Sequence, residues 1–291
     1  MSTTPDDLTG HVHPVEPRDD DVLFGHNDLE GSFLDLMDLE TIDPNIFRAN
    51  YVFEEPWALY GGQVAAQALL AAARTVEEPA RLPHSLHGYF LRPGNASEPT
   101  IFQVHRDRDG RSYSARRVVA LQNGKVIFNM STSFTEGTDS PDLQESTAAS
   151  RGPVRMGSES KLPRMFDFIG RTTDQDYDVE DYPVRFWGTC TADLGDDQLL
   201  HAVALTYMSD ISSGVGAFNT EEWKSGSSLD HSMWFHRPVD MNAWNLVDFF
   251  PRSVARGRGL YTGDITDERG ALVASVAQET LYRKHVKTLP K

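Results

Sequence analysis

The sequence predicts an α+β protein built from two copies of one unit, each a buried helix followed by closely spaced antiparallel strands. Three observations carry this. Phe90-Leu91-Arg92-Pro93 returns as Phe235-His236-Arg237-Pro238, each after an aromatic residue, Tyr89 or Trp234. Asn123-Gly124-Lys125-Val126-Ile127 is echoed by Arg269-Gly270-Ala271-Leu272-Val273, turn residues opening into a strand-like run. The separations agree: 145 positions from Arg92 to Arg237 and 146 from Gly124 to Gly270. A period of that length is too long for a solenoid and indicates a duplicated domain.

The elements follow in order. Residues 1–30, with Asp6, Asp7, Glu16, Asp19, Asp20 and Asp21, are expected to form a disordered acidic tail. The first copy, 31–136, opens on the apolar-periodic segment Phe33-Leu34-Asp35-Leu36-Met37. Gly61 to Val76 is rich in alanine and leucine, with apolar residues on more than one face, and predicts a buried helix. Gly61 and Gly62 stand at its start, where backbone N–H groups lack helical partners and can face a ligand. Residues 85–134 are β-branched and aromatic runs separated by Pro-Gly, Asp-Gly and Asn-Gly turns, the signature of strands. Residues 137–165, rich in Ser, Pro and Gly, are expected to be a linker. The second copy, 166–291, repeats the plan with a helix-like Leu199–Asp210 and strands at 227–238, 245–266 and 271–283. Gly257-Arg258-Gly259 falls inside the second of these runs, and the next glycine, Gly263, is one position late for a dinucleotide fingerprint. It predicts a bulge or close-packing site instead.

Composition excludes several classes. No apolar run approaches the ~18 residues that cross a bilayer, and the N-terminal stretch lacks the features of a secretory signal, so the expectation is a cytoplasmic chain without membrane insertion. A net charge of -16 argues against nucleic acid as a partner. A second acidic cluster, Asp174 to Asp181, is expected to be solvated surface. The single cysteine, Cys190, excludes an intrachain disulfide and is expected to be buried and inert. There is no G-x-S-x-G elbow, no H-E-x-x-H and no Walker loop, so neither a metal nor a cofactor is expected.

YGGQVAAQAL (60–69), HGYFLRPG (87–94), DGRSYSARRVVALQNGKVIF (109–128) and LDHSMWFHRP (229–238) together resemble the acyl-CoA thioesterase II family, as does FLDLMDLETIDPNIFRA at 33–49. The resemblance spans roughly 33 to 283. It implies a double hotdog, each half wrapping a curved antiparallel sheet around one long helix. It also implies hydrolysis of fatty acyl-CoA to free acid and coenzyme A, with coenzyme A as part of the substrate, and association into a homodimer or homotetramer. Family members hold a water with an Asp, a Thr or Ser, and a Gln. These carry over to Asp210 of Tyr207-Met208-Ser209-Asp210, to Ser228 two places before Asp230-His231, and to Gln278 of Val276-Ala277-Gln278-Glu279. Serine at 228, where many relatives have threonine, keeps the hydrogen-bonding group but loses the methyl that restricts its rotamer.

Of the three, Asp210 is the one able to act as a base near neutral pH, and Gly61–Gly62 is a candidate source of oxyanion donors. The repeat places Thr132 opposite Gln278 and Pro83 opposite Ser228, so one site per chain is expected. His87 and His231 are expected to be structural, and Arg92 and Arg237 to serve in packing or as turn anchors rather than as phosphate clamps. Arg116 and Arg117 point to opposite faces of a strand, so at most one could meet coenzyme A phosphates. Two other functions remain open: an acyl-CoA-binding protein that has lost catalysis, and an enoyl-CoA hydratase. The latter resembles a pattern with Asp and His five residues apart, but five residues past Asp210 is Val215.

Overall fold

The computed structural model describes residues 30–55, 58–78, 80–145, 147, 154–162, 164–173, 184–211 and 214–284. Apart from Glu30, the acidic tail and the Asp174–Asp181 cluster lie outside them. The first half runs α1 (Phe33–Met37), β1 (Leu39–Asp43), β2 (Ile46–Ala49), α2 (Gly61–Ala73), β3 (Leu82–Phe90), β4 (Thr100–Asp109), β5 (Tyr113–Gln122) and β6 (Lys125–Thr135). The second runs β7 (Met156–Lys161), β8 (Phe168–Thr173), β9 (Arg185–Cys190), α3 (Gln198–Ser209), β10 (Trp223–Ser228), β11 (Asp230–Phe235), β12 (Asn245–Ala255), β13 (Arg258–Thr266) and β14 (Leu272–Lys284).

All these strands belong to one sheet, ordered β1-β2-β4-β5-β6-β3-β11-β14-β13-β12-β9-β8-β7, with β10 also paired to β14. Outward from the β3–β11 join the order is mirrored: β6, β5, β4, β2 on one side and β14, β13, β12, β9 on the other. His87 lies opposite Ser232, with Gly88 opposite His231 and Leu86 opposite Met233. Since 145 positions separate His87 from Ser232, each meets its own repeat counterpart. A local twofold axis therefore passes between them, and the duplication is a geometric fact as well as a sequence pattern.

The two long helices lie against each other inside this sheet. Every residue of α2 from Gly62 to Ala72 is buried, which small side chains permit because helix and sheet backbones can approach closely. No side chain caps its N-terminus at Tyr60; α3 is capped by Asp197, which accepts from the N–H groups of Leu199 (3.0 Å) and Leu200 (3.1 Å). The short α1 joins the halves: Phe33 packs against Phe168 (ring centroids 5.6 Å) and Tyr207 (5.4 Å), and the Leu36 carbonyl accepts from Gln67 Nε2 (2.8 Å). No helix among the described residues is long and apolar enough to cross a membrane.

Four expectations need correction. The stretch 137–165 is not a plain linker: it contains β7, and Leu162 and Met165 are buried. The first long helix ends at Ala73, not Val76. Residues 245–266 are two strands, because Arg256 and Gly257 both adopt positive φ (52° and 78°) and turn the chain into a hairpin. Gly257 is thus a turn residue. Gly259 is the close-packing site, where a Cβ would meet Val215 Cγ2 at 2.8 Å. Finally, strands precede each long helix (β1–β2, and β7–β9), so the unit is strands–helix–strands.

Candidate active site

Asp210 is the residue at which α3 stops: it forms the C-cap, and the helix gives way to an irregular turn. Ser228 closes β10, and Gln278 lies on β14 among inward-facing Ala274, Val276 and Thr280, as strand alternation requires. The structure brings all three side chains together. Ser228 Oγ donates to Asp210 Oδ1 at 2.8 Å. Gln278 Nε2 donates to the same oxygen at 2.7 Å and to Ser228 Oγ at 2.6 Å. Gln278 is 2 % exposed, so an unpaired amide there would be costly.

Its other end is also held. His231, fully buried on β11, hydrogen-bonds Gln278 Oε1 through Nδ1 and Ser209 Oγ through Nε2 (2.8 Å). Turning the amide over would aim its carbonyl oxygen at the Asp210 carboxylate. With Nε2 directed at Asp210 and Ser228, Oε1 must accept, so His231 Nδ1 carries the proton. Ser209 Oγ also lies 2.9 Å from the Thr206 carbonyl one helical turn back. A chain of side chains thus runs from Ser209 on α3 through His231 and Gln278 to the carboxylate. A structural role is what the sequence led one to expect for His231, but not this contact; the available signal was its place two residues before Met233, on the inward face of β11.

The first half completes the constellation. Gly61 is the first residue of α2, and a methyl group there would overlap Asp210 Oδ2 and meet the Phe90 ring at 2.9 Å. At Gly62 a side chain would overlap the Tyr207 carbonyl. The first hydrogen bond of α2 runs from Val64 N–H to the Tyr60 carbonyl (3.3 Å), so the N–H groups of Gly61, Gly62 and Gln63 precede its ladder. Oδ1 of Asp210 therefore receives Ser228 and Gln278, while Oδ2 sits beside the positive end of the α2 dipole. The surrounding tyrosines, Tyr60, Tyr207 and Tyr261, are buried. Burial first, and then the charge of Asp210, pushes the phenols of Tyr60 and Tyr261 well above their ordinary range. Tyr60 donates to the Tyr207 carbonyl at 2.7 Å.

The other flagged residues lie elsewhere. Arg116 is turned into the core, where it donates to Thr75 Oγ1 (2.7 Å) and pairs with Asp109 (2.6 Å); Arg117 points outward toward Asp107 (3.4 Å). His87 meets Ser232 (3.2 Å) on the outer side of the sheet. Cys190 is buried, and desolvation pushes its thiol up to about 12.

Residues 53–135 match the model of the acyl-CoA thioesterase N-terminal domain, and residues 139–282 that of the acyl-CoA thioesterase C-terminal domain. The chain is 30% identical over 280 residues to human acyl-coenzyme A thioesterase 8, covering 85% of this chain and 88% of that protein. Among solved structures it is similar to acyl-CoA thioesterase II TesB2 from Mycobacterium marinum, with TM-score 0.72 and 36% identity over 88% of this chain and 99% of that one. A hot dog fold protein of unknown function from Alicyclobacillus acidocaldarius, at TM-score 0.71 and 18% identity over 89% of this chain and all of that one, matches in fold. The fold is the double hotdog, and the chain belongs to the acyl-CoA thioesterase family.

Proposed function

We propose that the chain hydrolyses acyl-CoA thioesters by direct attack of a water held at Asp210, whose carboxylate Ser228 and Gln278 position, beside the first turn of α2. The observation that carries this is the closed hydrogen-bond set among those three side chains, abutting a glycine helix start contributed by the other half. Ser228 and Gln278 occupy Oδ1 and fix the carboxylate plane. Oδ2 remains to take the water's proton as its oxygen bonds to the thioester carbon. The carbonyl electron pair moves onto oxygen, toward the N–H groups of Gly61 and Gly62. When the carbonyl re-forms, the C–S bond breaks, and the proton on Asp210 passes to the departing coenzyme A sulfur. The acid leaves, and Asp210 is again a carboxylate.

The water route fits this geometry because Ser228 donates to the Asp210 carboxylate and accepts from Gln278, with no imidazole among the described residues placed to take its proton; His231 is occupied by Gln278 and Ser209. The test is thiol release from palmitoyl-CoA and shorter acyl-CoAs. Asp210→Asn, which keeps the shape and removes the base, should lower kcat by about 10²–10⁴-fold. Absence of release above background by the wild type overturns the activity, and trapping of an acyl group on Ser228 or Asp210 overturns the route.

A further inference from the structure

We infer that a pocket of about 460 Å³ lined by Arg92, Gly94, Asn95, Gln122 and Lys125 receives the phosphate-bearing nucleotide end of coenzyme A. This assignment rests on the proposed thioester hydrolysis and adds where the far end of that substrate is held. The internal repeat supplies the control. In the first half the N–H groups of Leu91 and Arg92 both donate to the Ile127 carbonyl (2.8 and 3.2 Å), and Arg92 Nη1 donates to the Val126 carbonyl (2.6 Å). In the second half His236 and Arg237 do the same to Val273 (2.8 and 3.4 Å), and Arg237 Nη1 donates to the Leu272 carbonyl (2.5 Å). Both arginines anchor their turns, as expected from sequence. The rest of the guanidinium is used differently.

Arg237 is neutralised by its own chain. Asp142 takes Nη2 and Nε in a two-pronged pair (Nε 3.2 Å). Gln144 holds the segment there by bonding the Gly270 carbonyl (2.9 Å) and the Leu272 N–H (2.9 Å). Arg92 pairs with no carboxylate among the described residues, and the exposed Lys125 stands beside it where the second half has Ala271. Glu98 also lines the pocket, with its carboxylate hydrogen-bonded by Asn123 Nδ2 (2.6 Å), so the lining carries two cations against one anion. The floor is rigid: Gln122 bonds both the N–H (2.8 Å) and the carbonyl (2.9 Å) of Asn95.

The open, cationic copy is the one at the reactive end. Ala58 lines the pocket and lies three residues before Gly61, a reach of at most about 11 Å. Phe90, whose ring lies against Gly61, is two residues before Arg92. An arginine fork and a lysine point charge suit phosphates, and on a chain of net charge -16 an anionic substrate needs such a local landing place.

The test compares kcat/KM for an acyl-CoA with that for the matching acyl-pantetheine, which keeps the thioester and lacks the nucleotide. Lys125→Glu should lower the acyl-CoA to acyl-pantetheine ratio about tenfold. Arg92→Ala should move it the same way, and Lys125→Glu covers the case in which losing the Val126 bond unfolds the turn. Calorimetric titration reads the pocket without chemistry: adenosine 3′,5′-bisphosphate should bind the wild type, and bind Lys125→Glu about tenfold more weakly. An unchanged ratio, or bisphosphate binding indifferent to Lys125→Glu, overturns the site. Inorganic phosphate binding as tightly as the bisphosphate overturns the nucleotide assignment. A wild type that hydrolyses neither thioester overturns the proposed reaction, and the titration then decides the pocket alone.

Discussion

Gly61 concentrates the demands of the site in one missing side chain. Its backbone needs no glycine conformation, since its φ is not positive, and alanine is the better helix former. What forbids a methyl group is Asp210 Oδ2 on one side and the Phe90 ring on the other. Gly61→Ala is therefore expected to fold, with circular dichroism like the wild type, while the displaced carboxylate lowers kcat about 10²-fold. A variant with near wild-type kcat would remove the carboxylate from the start of α2. Asp210, Ser228 and Gln278 were legible in the sequence as candidates, whereas the part played by His231 was not. The three came with motifs from the family resemblance. His231 is defined by what it touches from behind, and no spacing in the chain states that Gln278 and Ser209 flank it.

Among the elements, the strands of the second half carry a partly buried polar row that includes three charged residues. Arg185 on β9 faces Asp248 on β12, Asp248 faces Asp264 on β13, and Asp264 faces Ser275 on β14. Burial pushes the Asp248 carboxyl up to about 6, against the pull of Arg185 at 3.2 Å and with a push from Asp264. A raised carboxyl pKa means the folded chain keeps a proton that the unfolded chain releases near pH 4. The stability this contributes is full below about pH 4 and is lost as pH rises to about 6. Asp248→Asn deletes that pH dependence. Urea denaturation at pH 4.5 and 6.5 should thus show the wild type losing more stability over this interval than the variant. Equal losses would contradict the assignment.

Element boundaries were legible where alternation was long, as in β4 to β6. They were not in β2 (iBiB) and β9 (buried throughout), whose four and six residues are too short to show a period. Asn123-Gly124 announced its hairpin, whereas Arg256-Gly257, with nearly the same pair of positive φ angles (49° and 71° against 52° and 78°), did not. The angles are what a two-residue hairpin needs, and arginine is a rare residue to adopt them.

At the scale of the whole molecule, the local twofold relates two ends that are chemically unlike. Beside Gln278 on the neighbouring strand stands Tyr261; beside Thr132 stands Arg116, and 145 positions separate Arg116 from Tyr261. At the first-half end, then, Thr132 replaces the glutamine, Pro83 replaces the serine, and Arg116 fills the interior with its bonds to Thr75 and Asp109. One site per chain is the expected outcome. Calorimetry with a non-hydrolysable thioether analogue of an acyl-CoA should give one bound molecule per chain, and two would overturn this account.

The mirrored strand order has a consequence for how such a chain can change over time. In the proposed reaction, the reactive end draws its helix start from one half and its carboxylate, hydroxyl and amide from the other, so a substitution in either half would act on the same chemistry. Neither copy is therefore a spare. The freedom that duplication usually confers falls not on one half of the gene but on one end of the molecule, where residues of both halves are released from the reaction together.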